Sequence, residues 1–272
     1  MLTILFPLGV FFGIGFLVHL AEKRWPLRSY EKPKAWAADA LGFGVATAAT
    51  VAYRLAYPQT FARLSSVPGL EWISTVSLFV ETTIAWPVAF LVSVVVVDFL
   101  MYLGHRLLHS SYLWHTHAAH HSVEHLYWFG GNRASPVHVM LQLVWGSLLG
   151  LVWPVNGGVP VIVAATILGT CIQHFIHANI RWRLGPLEWL FVVPRYHFVH
   201  HGADPKLNNS NFGFMLTIWD RSFGTYTNPD NVSKSFPLGL SYEVGMGRLL
   251  IGLPPKSVDP KRELFTNFSG RS

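Results

Sequence analysis

Charge and sulfur are scarce in this chain. Of its 272 residues only 12% are Asp, Glu, Lys or Arg, about half the fraction of a typical soluble domain. Together with 51% hydrophobic residues and a mean hydropathy of +0.36, this argues against a soluble enzyme. The single cysteine, Cys171, lies in an apolar run, which excludes a disulfide framework and a cysteine-held iron–sulfur cluster. Carboxylates are few, which disfavours calcium and magnesium centres. Gly13-x-Gly15 and Gly42-x-Gly44 lack a third glycine and a preceding strand, so no nucleotide cradle is present. Glu-x-x-His and His-Glu-x-x-His are both missing, which excludes the carboxylate-bridged di-iron bundle and the common zinc protease site. The net charge of +6 does not gather on an aromatic-bearing polar face, so nucleic acid is not the expected partner.

What the chain does have is apolar length. A helix needs about 20 mostly apolar residues to cross a bilayer, and the sequence predicts such helices over Leu2–Leu20, Ala37–Tyr57 and Ile84–Gly104, with two more sharing Val137–His177. The turn formers of Trp153–Gly158 divide that last pair, and Glu71–Glu81 reads as an interfacial piece. The first span has no basic residue before it and no small-residue cleavage site after it, so it reads as a retained helix. Lys23, Arg24, Arg28, Lys32 and Lys34 follow it, placing that loop in the cytoplasm by the positive-inside rule. Counting forward, the ends of the third and fifth spans and the tail face the same side. The fold expected is an all-α integral membrane protein with four to five transmembrane helices and a cytosol-facing helical cap. It forms one domain over 1–272, divided into a mainly transmembrane part (1–97), a histidine-rich region (98–225) and a cytoplasmic tail (226–272).

Thirteen of the 14 histidines fall between His105 and His201. His105 and His109 stand at i and i+4, on one helical face. His117, His120 and His121 share the next helical turn, His197, His200 and His201 repeat that spacing after Pro194, and His174 and His177 close the fifth span. Burying that many unpaired imidazoles would cost about 1–3 kcal/mol each. Neutral imidazole suits iron, zinc, copper or nickel, and one ion rarely takes more than six ligands, so the number of rings implies two ions.

His-x3-His at 105–109 and His-x2-His-His at 117–121 and again at 197–201 resemble the histidine boxes of the membrane fatty acid hydroxylase and sterol desaturase superfamily. Further segments are similar: Asp98-x3-Tyr102-x2-His105-Arg106, Leu113-Trp114 before His117, and Phe175-x-His177-x-Asn179. Leu184–Glu188 and Ile218–Thr225 resemble its alkylglycerol monooxygenase branch. The resemblance covers roughly Asp98 to Thr225. It implies two non-haem iron ions held by His105, His109, His117, His120, His121, His177, His197, His200 and His201, with His174 and His138 as further candidates. It also implies an O2-dependent hydroxylase acting on a fatty acyl, alkylglycerol or sterol-like lipid. Arg133-Ala-Ser-Pro136 departs from the Arg-x-His-Pro of sterol-type members.

Asp98 lies two helical turns before His105 and is expected to accept the outer N–H of His105 or His109; Asp220 is a second such acceptor. Arg133 is read as a contact for a lipid headgroup phosphate or for a carboxylate near the ligands. Trp114, Trp128, Trp182 and Trp189 are read as an interfacial belt. Electrons must come from outside, from a cytochrome b5- or ferredoxin-like redox partner on the basic cytoplasmic face or from a reduced pterin. A desaturase with the same site, a membrane metal carrier and a haem electron carrier are the competing readings.

Overall fold

A computed structural model describes residues 2–30, 35–65, 67–69, 72–152, 158–233 and 235–255. The described residues form helices joined by loops and isolated β-bridges, without a strand. The long helices are α1 (Leu2–Arg24), α2 (Trp36–Ser65), α3 (Trp72–Thr83) and α4 (Trp86–Leu108). Next come the short α5 (Trp114–His121), then α6 (Pro136–Val152) and α7 (Gly158–His177). Four short α-helices follow among the described residues: α8 (Pro194–His200), α9 (Pro205–Asn208), α10 (Ile218–Ser222) and α11 (Met246–Leu250).

Among the described residues two helices, Leu5–Arg24 and Trp86–Leu108, are long and apolar enough to cross a membrane; the 23 residues of the second rise about 34 Å, roughly the depth of a hydrocarbon core. Their large side chains point outward: Phe12, Phe16, Leu17, Val88 and Leu91 are all exposed. Water would make such faces an aggregation surface, whereas lipid makes them neutral. The second expected span is an unbroken helix of 30 residues, longer at both ends than Ala37–Tyr57. The turn expected at Trp153–Gly158 lies outside the described residues, apart from Gly158, which opens α7.

Helices α2 and α4 both pack against α6, and α1 packs against α7. Small residues permit the close approaches: a Cβ on Gly104 of α4 would sit 2.6 Å from the Trp145 ring of α6. Pro136 opens α6, with Ser135 capping it by accepting the His138 N–H at 3.2 Å. The Ser135 hydroxyl in turn donates to the Thr116 carbonyl at 2.6 Å, which ties the start of α6 to α5. Pro194 likewise opens α8, where a proline's missing N–H costs nothing.

The segment expected to be a cytoplasmic tail returns to the body in its described part. Leu238 bridges to Gly202, Phe236 accepts a hydrogen bond from Arg28 at 2.9 Å, and Leu249 of α11 packs on Ala118 and Ala119 of α5. The expected tryptophan belt is only half present. Trp182 and Trp189 are exposed, but Trp128 is buried against Phe11 and His174. Trp114 lies against His109 and His121 and donates to the Tyr242 hydroxyl at 2.9 Å. The Trp114 indole serves the interior because its N–H finds a partner there, whereas Trp128 is held by its ring contacts and its Nε1 is buried without a hydrogen bond among the described residues.

Candidate metal centre

Four short elements bring the histidine-rich segments together: the last turn of α4, α5, the last turn of α7, and α8. The end of α4, α5 and α8 each present histidines at spacings of three or four on one face, α7 presents His177 alone, and the ends of the two long helices place these rings at one depth. Nine rings meet in two groups. His105, His109, His117, His121 and His200 form one; His120, His177, His197 and His201 form the other, the ligand nitrogens of each group lying within 4.8 Å of one another. The sequence candidates His174 and His138 stand outside both. His174 Nε2 faces the Phe11 carbonyl at 3.0 Å, tying α7 to α1, and His138 stands edge-on behind His117.

The inner nitrogens converge. His105 and His117 approach Nε2 to Nε2 at 3.1 Å, His197 and His177 at 3.0 Å, His120 and His177 at 3.2 Å, and His201 and His197 at 3.2 Å. Nitrogens bound about 2.1 Å from one ion lie about 3.0–3.4 Å apart, so the spacing fits metal coordination. Three outer nitrogens donate to carbonyls: His105 Nδ1 to Phe212, His200 Nδ1 to Ser210 and His177 Nδ1 to Gln173, each at 2.8 Å. A neutral imidazole with its proton on Nδ1 carries a bare lone pair on Nε2, so these bonds aim three lone pairs inward. Burial pushes the His109, His117, His120, His121, His197, His200 and His201 rings well below their ordinary titration range, which keeps them neutral and able to coordinate. Both nitrogens of His109 and His121, and Nε2 of His200, are buried without a hydrogen-bond partner. Such orphaned acceptors are what a metal ion satisfies, and an all-nitrogen donor set is suited to a first-row transition ion.

Acids hold the scaffold rather than the rings. Asp98, expected to accept an N–H from His105 or His109, accepts instead from the Met215 and Leu216 amides at 2.7 and 3.1 Å and from Trp219 Nε1 at 2.8 Å. Asp220 accepts from the Phe212 and Gly213 amides at 2.9 and 2.7 Å, from Thr225 Oγ1 at 2.6 Å and from the Tyr196 hydroxyl. Burial raises its carboxyl above the ordinary range. Both carboxylates therefore clamp the 212–219 loop, and the loop offers the Phe212 carbonyl to His105. The intended acceptor is a backbone atom one step removed, because a carboxylate two turns back on α4 reaches the loop laid across it.

Arg133, expected at a lipid headgroup phosphate or at a carboxylate near the ligands, is buried and finds its carboxylate on α2. Its guanidinium reaches Asp39 of α2 at 2.9 Å from Nε and 2.6 Å from Nη2, and Nη1 reaches the Ser122 hydroxyl at 2.8 Å. Tyr127 adds its hydroxyl to Asp39 at 2.7 Å. Gly42 of α2 lets the two segments approach, since a Cβ there would fall 3.0 Å from Arg133 Cα, and this brings Asp39, one turn earlier, within reach of the guanidinium. Sequence reasoning missed Asp39, although an acid within an apolar helix is itself the signal of a partner. It also passed over Gly131, where a Cβ would fall 2.2 Å from His177 Cγ; only glycine lets that loop lie against the ring. Glu22, at the end of α1, accepts from the Trp128 and Asn179 amides, both at 2.9 Å.

A cavity of about 440 Å³ opens beside the groups, reached by His105, His117, His120, His177 and His197 and walled by residues of α2, α4, α6 and α7.

The sequence profile of the fatty acid hydroxylase family matches residues 90–225, a span that holds every one of the nine histidines. An ornithine lipid hydroxylase of Rhizobium tropici is 32% identical over 183 residues, covering 66% of this chain and 54% of that one. Alkylglycerol monooxygenases of Xenopus tropicalis and Homo sapiens are 35% and 33% identical over 133 and 132 residues, each covering 48% of this chain and 28% of the relative. The chain thus spans about half the length of the first relative and under a third of the other two. No solved structure gives a significant match.

Proposed function

Because this chain belongs to the fatty acid hydroxylase family, we propose that it is a membrane-bound lipid hydroxylase whose centre is the pair of histidine groups. The observation that carries the reading is the convergence of nine neutral imidazoles, in groups of five and four, beside a largely apolar cavity. The reading takes His105, His109, His117, His121 and His200 as ligands of one iron ion and His120, His177, His197 and His201 as ligands of the other. When bound, the two ions supply the activation of O2 that insertion into an unactivated C–H bond requires. The balance is C–H plus O2, two electrons and two protons giving C–OH and water. The electrons come from an external donor, a cytochrome b5- or ferredoxin-like protein or a reduced pterin.

The protein's own residues supply position. The Phe212, Ser210 and Gln173 carbonyls fix the tautomers of His105, His200 and His177, and Asp98 and Asp220 hold the loop that carries the first of these. The apolar wall formed by Met101, Val139, Leu143 and Ile176 receives the lipid chain and keeps water from the reacting carbon. In this reading α1, α2, α4, α6 and α7 span the bilayer, the histidine layer faces the cytoplasm as a helical cap, and the full chain acts as one catalytic domain. The names of the relatives point to a polar lipid as substrate, of the alkylglycerol or amino-lipid kind.

The test is a lipid comparison by mass spectrometry between cells expressing the wild type and His120→Ala, with and without O2. A wild-type-specific, O2-dependent lipid heavier by one oxygen supports the reading. A lipid lighter by two hydrogens makes the protein a desaturase, and no lipid difference with metal still bound rejects lipid oxidation.

A further inference from the structure

Hydrogen bonds orient some of the nine rings and leave others to packing. His105, His177 and His200 each turn an outer nitrogen to a carbonyl, and His117 turns one to His138. His109 and His121 make no hydrogen bond at either nitrogen among the described residues. Rotation of an imidazole about its Cβ–Cγ bond is soft, so a ring without such a bond takes its plane from what packs against it. The wall common to both is one indole: the Trp114 ring lies 5.0 Å from His109 and 5.1 Å from His121, centroid to centroid. Phe212 is a second wall for His109 alone.

Trp114 opens α5, three residues before His117 and seven before His121, a spacing that keeps all three on one helical face. The C-terminal segment holds the indole in place. Trp114 Nε1 donates to the Tyr242 hydroxyl at 2.9 Å, and Leu240, Val244 and Met246 pack with Trp114 around Ala118, Ala119 and Leu249. The same segment clasps the end of α8, where the Ala203 N–H donates to the Pro237 carbonyl at 2.9 Å and the Gly239 N–H to the His201 carbonyl at 3.4 Å. An indole has one polar atom, a donor, and its ring has two broad orientations about the Cβ–Cγ bond. The Tyr242 hydroxyl selects the one that lays the ring against His109 and His121.

We propose that Trp114, locked by Tyr242, is the positioning residue of the five-histidine group, setting the ring planes of His109 and His121, so that the C-terminal segment 237–250 is a working part of the metal centre. The inference rests on the hydroxylase reading and its pair of metal ions. Residues 237–250 lie beyond the stretch that matches the family profile, which ends at residue 225, so this part of the centre belongs to the chain's own design. Among the described residues the imidazoles against Trp114 are His109, His117 and His121, all of the group of five. Its influence is therefore confined to that group.

The test titrates the full chain in detergent with cobalt(II), whose visible absorption reports the number and arrangement of its ligands. His121→Ala and His177→Ala, each lacking a ligand of one group, assign the two binding steps. Tyr242→Phe removes one oxygen atom and is expected to weaken the five-histidine step about two- to tenfold and to shift its absorption, with the four-histidine step unmoved. Trp114→Phe is expected to weaken the same step about 10–100-fold, as loss of a group that orients a ligand does. Adding Tyr242→Phe to Trp114→Phe is expected to change nothing further, because the hydroxyl acts through the indole. An unchanged five-histidine step and spectrum in Tyr242→Phe overturns the inference and leaves the hydroxylase reading standing. So does equal weakening of both steps, which marks a general structural role, and so do losses that add in the double variant. Where Trp114→Phe fails to fold, Tyr242→Phe alone decides. A wild type that takes up no cobalt, with no oxygenated lipid in the cell comparison, removes the hydroxylase reading and this inference with it.

Discussion

The two histidine groups are built from similar rings but held differently. In the group of five, His105, His117 and His200 each have an outer partner, in the Phe212 carbonyl, His138 and the Ser210 carbonyl. In the group of four only His177 is fixed by a carbonyl, that of Gln173, yet three of its four rings border the cavity against two of five in the other. One group is anchored from outside and the other is open to the space a substrate would fill. Orientation comes from hydrogen bonds to the far nitrogen, and each such bond occupies a direction from which nothing else can approach.

The largest expected effect comes from a substitution that ignores the difference. Arg133→Ala leaves Asp39 buried without its cation, and Ser122 at the end of α5 without its donor. Removing one partner of a buried pair costs about 3–5 kcal/mol. Because α5 feeds both groups, metal content should fall in both, as read by thermal melting and metal analysis; loss from one group alone would contradict the shared role.

Gly131→Ala should separate the groups. The added Cβ meets the His177 ring, and overpacking of this kind costs about 1–3 kcal/mol. The expected outcome is loss of the metal at the four-histidine group with the other retained, visible as two steps in a metal titration becoming one.

Asp220→Asn works from the opposite side. It weakens the clamp on the Phe212 and Gly213 amides, at a cost of about 1.5–3 kcal/mol for bonds to a charged acceptor, and loosens the carbonyl that orients His105. The five-histidine group should lose affinity first; an unchanged titration would show that the loop holds itself. Cys171→Ser is expected to change neither group, since the thiol is exposed on α7 and surface changes lie within about 0.5 kcal/mol; a shift in melting or metal content would reveal a hidden contact.

Much of the centre was legible beforehand for a physical reason. Spacings of three and four put histidines on one face of a helix whatever follows, so the three boxes could be read as clusters, and apolar runs long enough to cross a bilayer mark the helices that carry them. His177 required the resemblance, because one histidine at the end of an apolar helix has no periodic partner to set it apart from His174, which lies three residues away and turns to α1 instead.

Chain order alone was enough to determine an apolar helical protein with histidine clusters sufficient for two metal ions, since composition and helical periodicity are local properties. The tertiary structure decided how the clusters divide into five and four, that Asp98 and Asp220 grip a loop rather than a ring, that Arg133 turns inward to Asp39, and that His138 stands behind His117 at the cavity wall. Each of these joins residues from 8 to 121 positions apart or is set by the angle at which two helices meet. Such choices depend on which partner is nearest once water is gone, and no local pattern in the sequence records that distance.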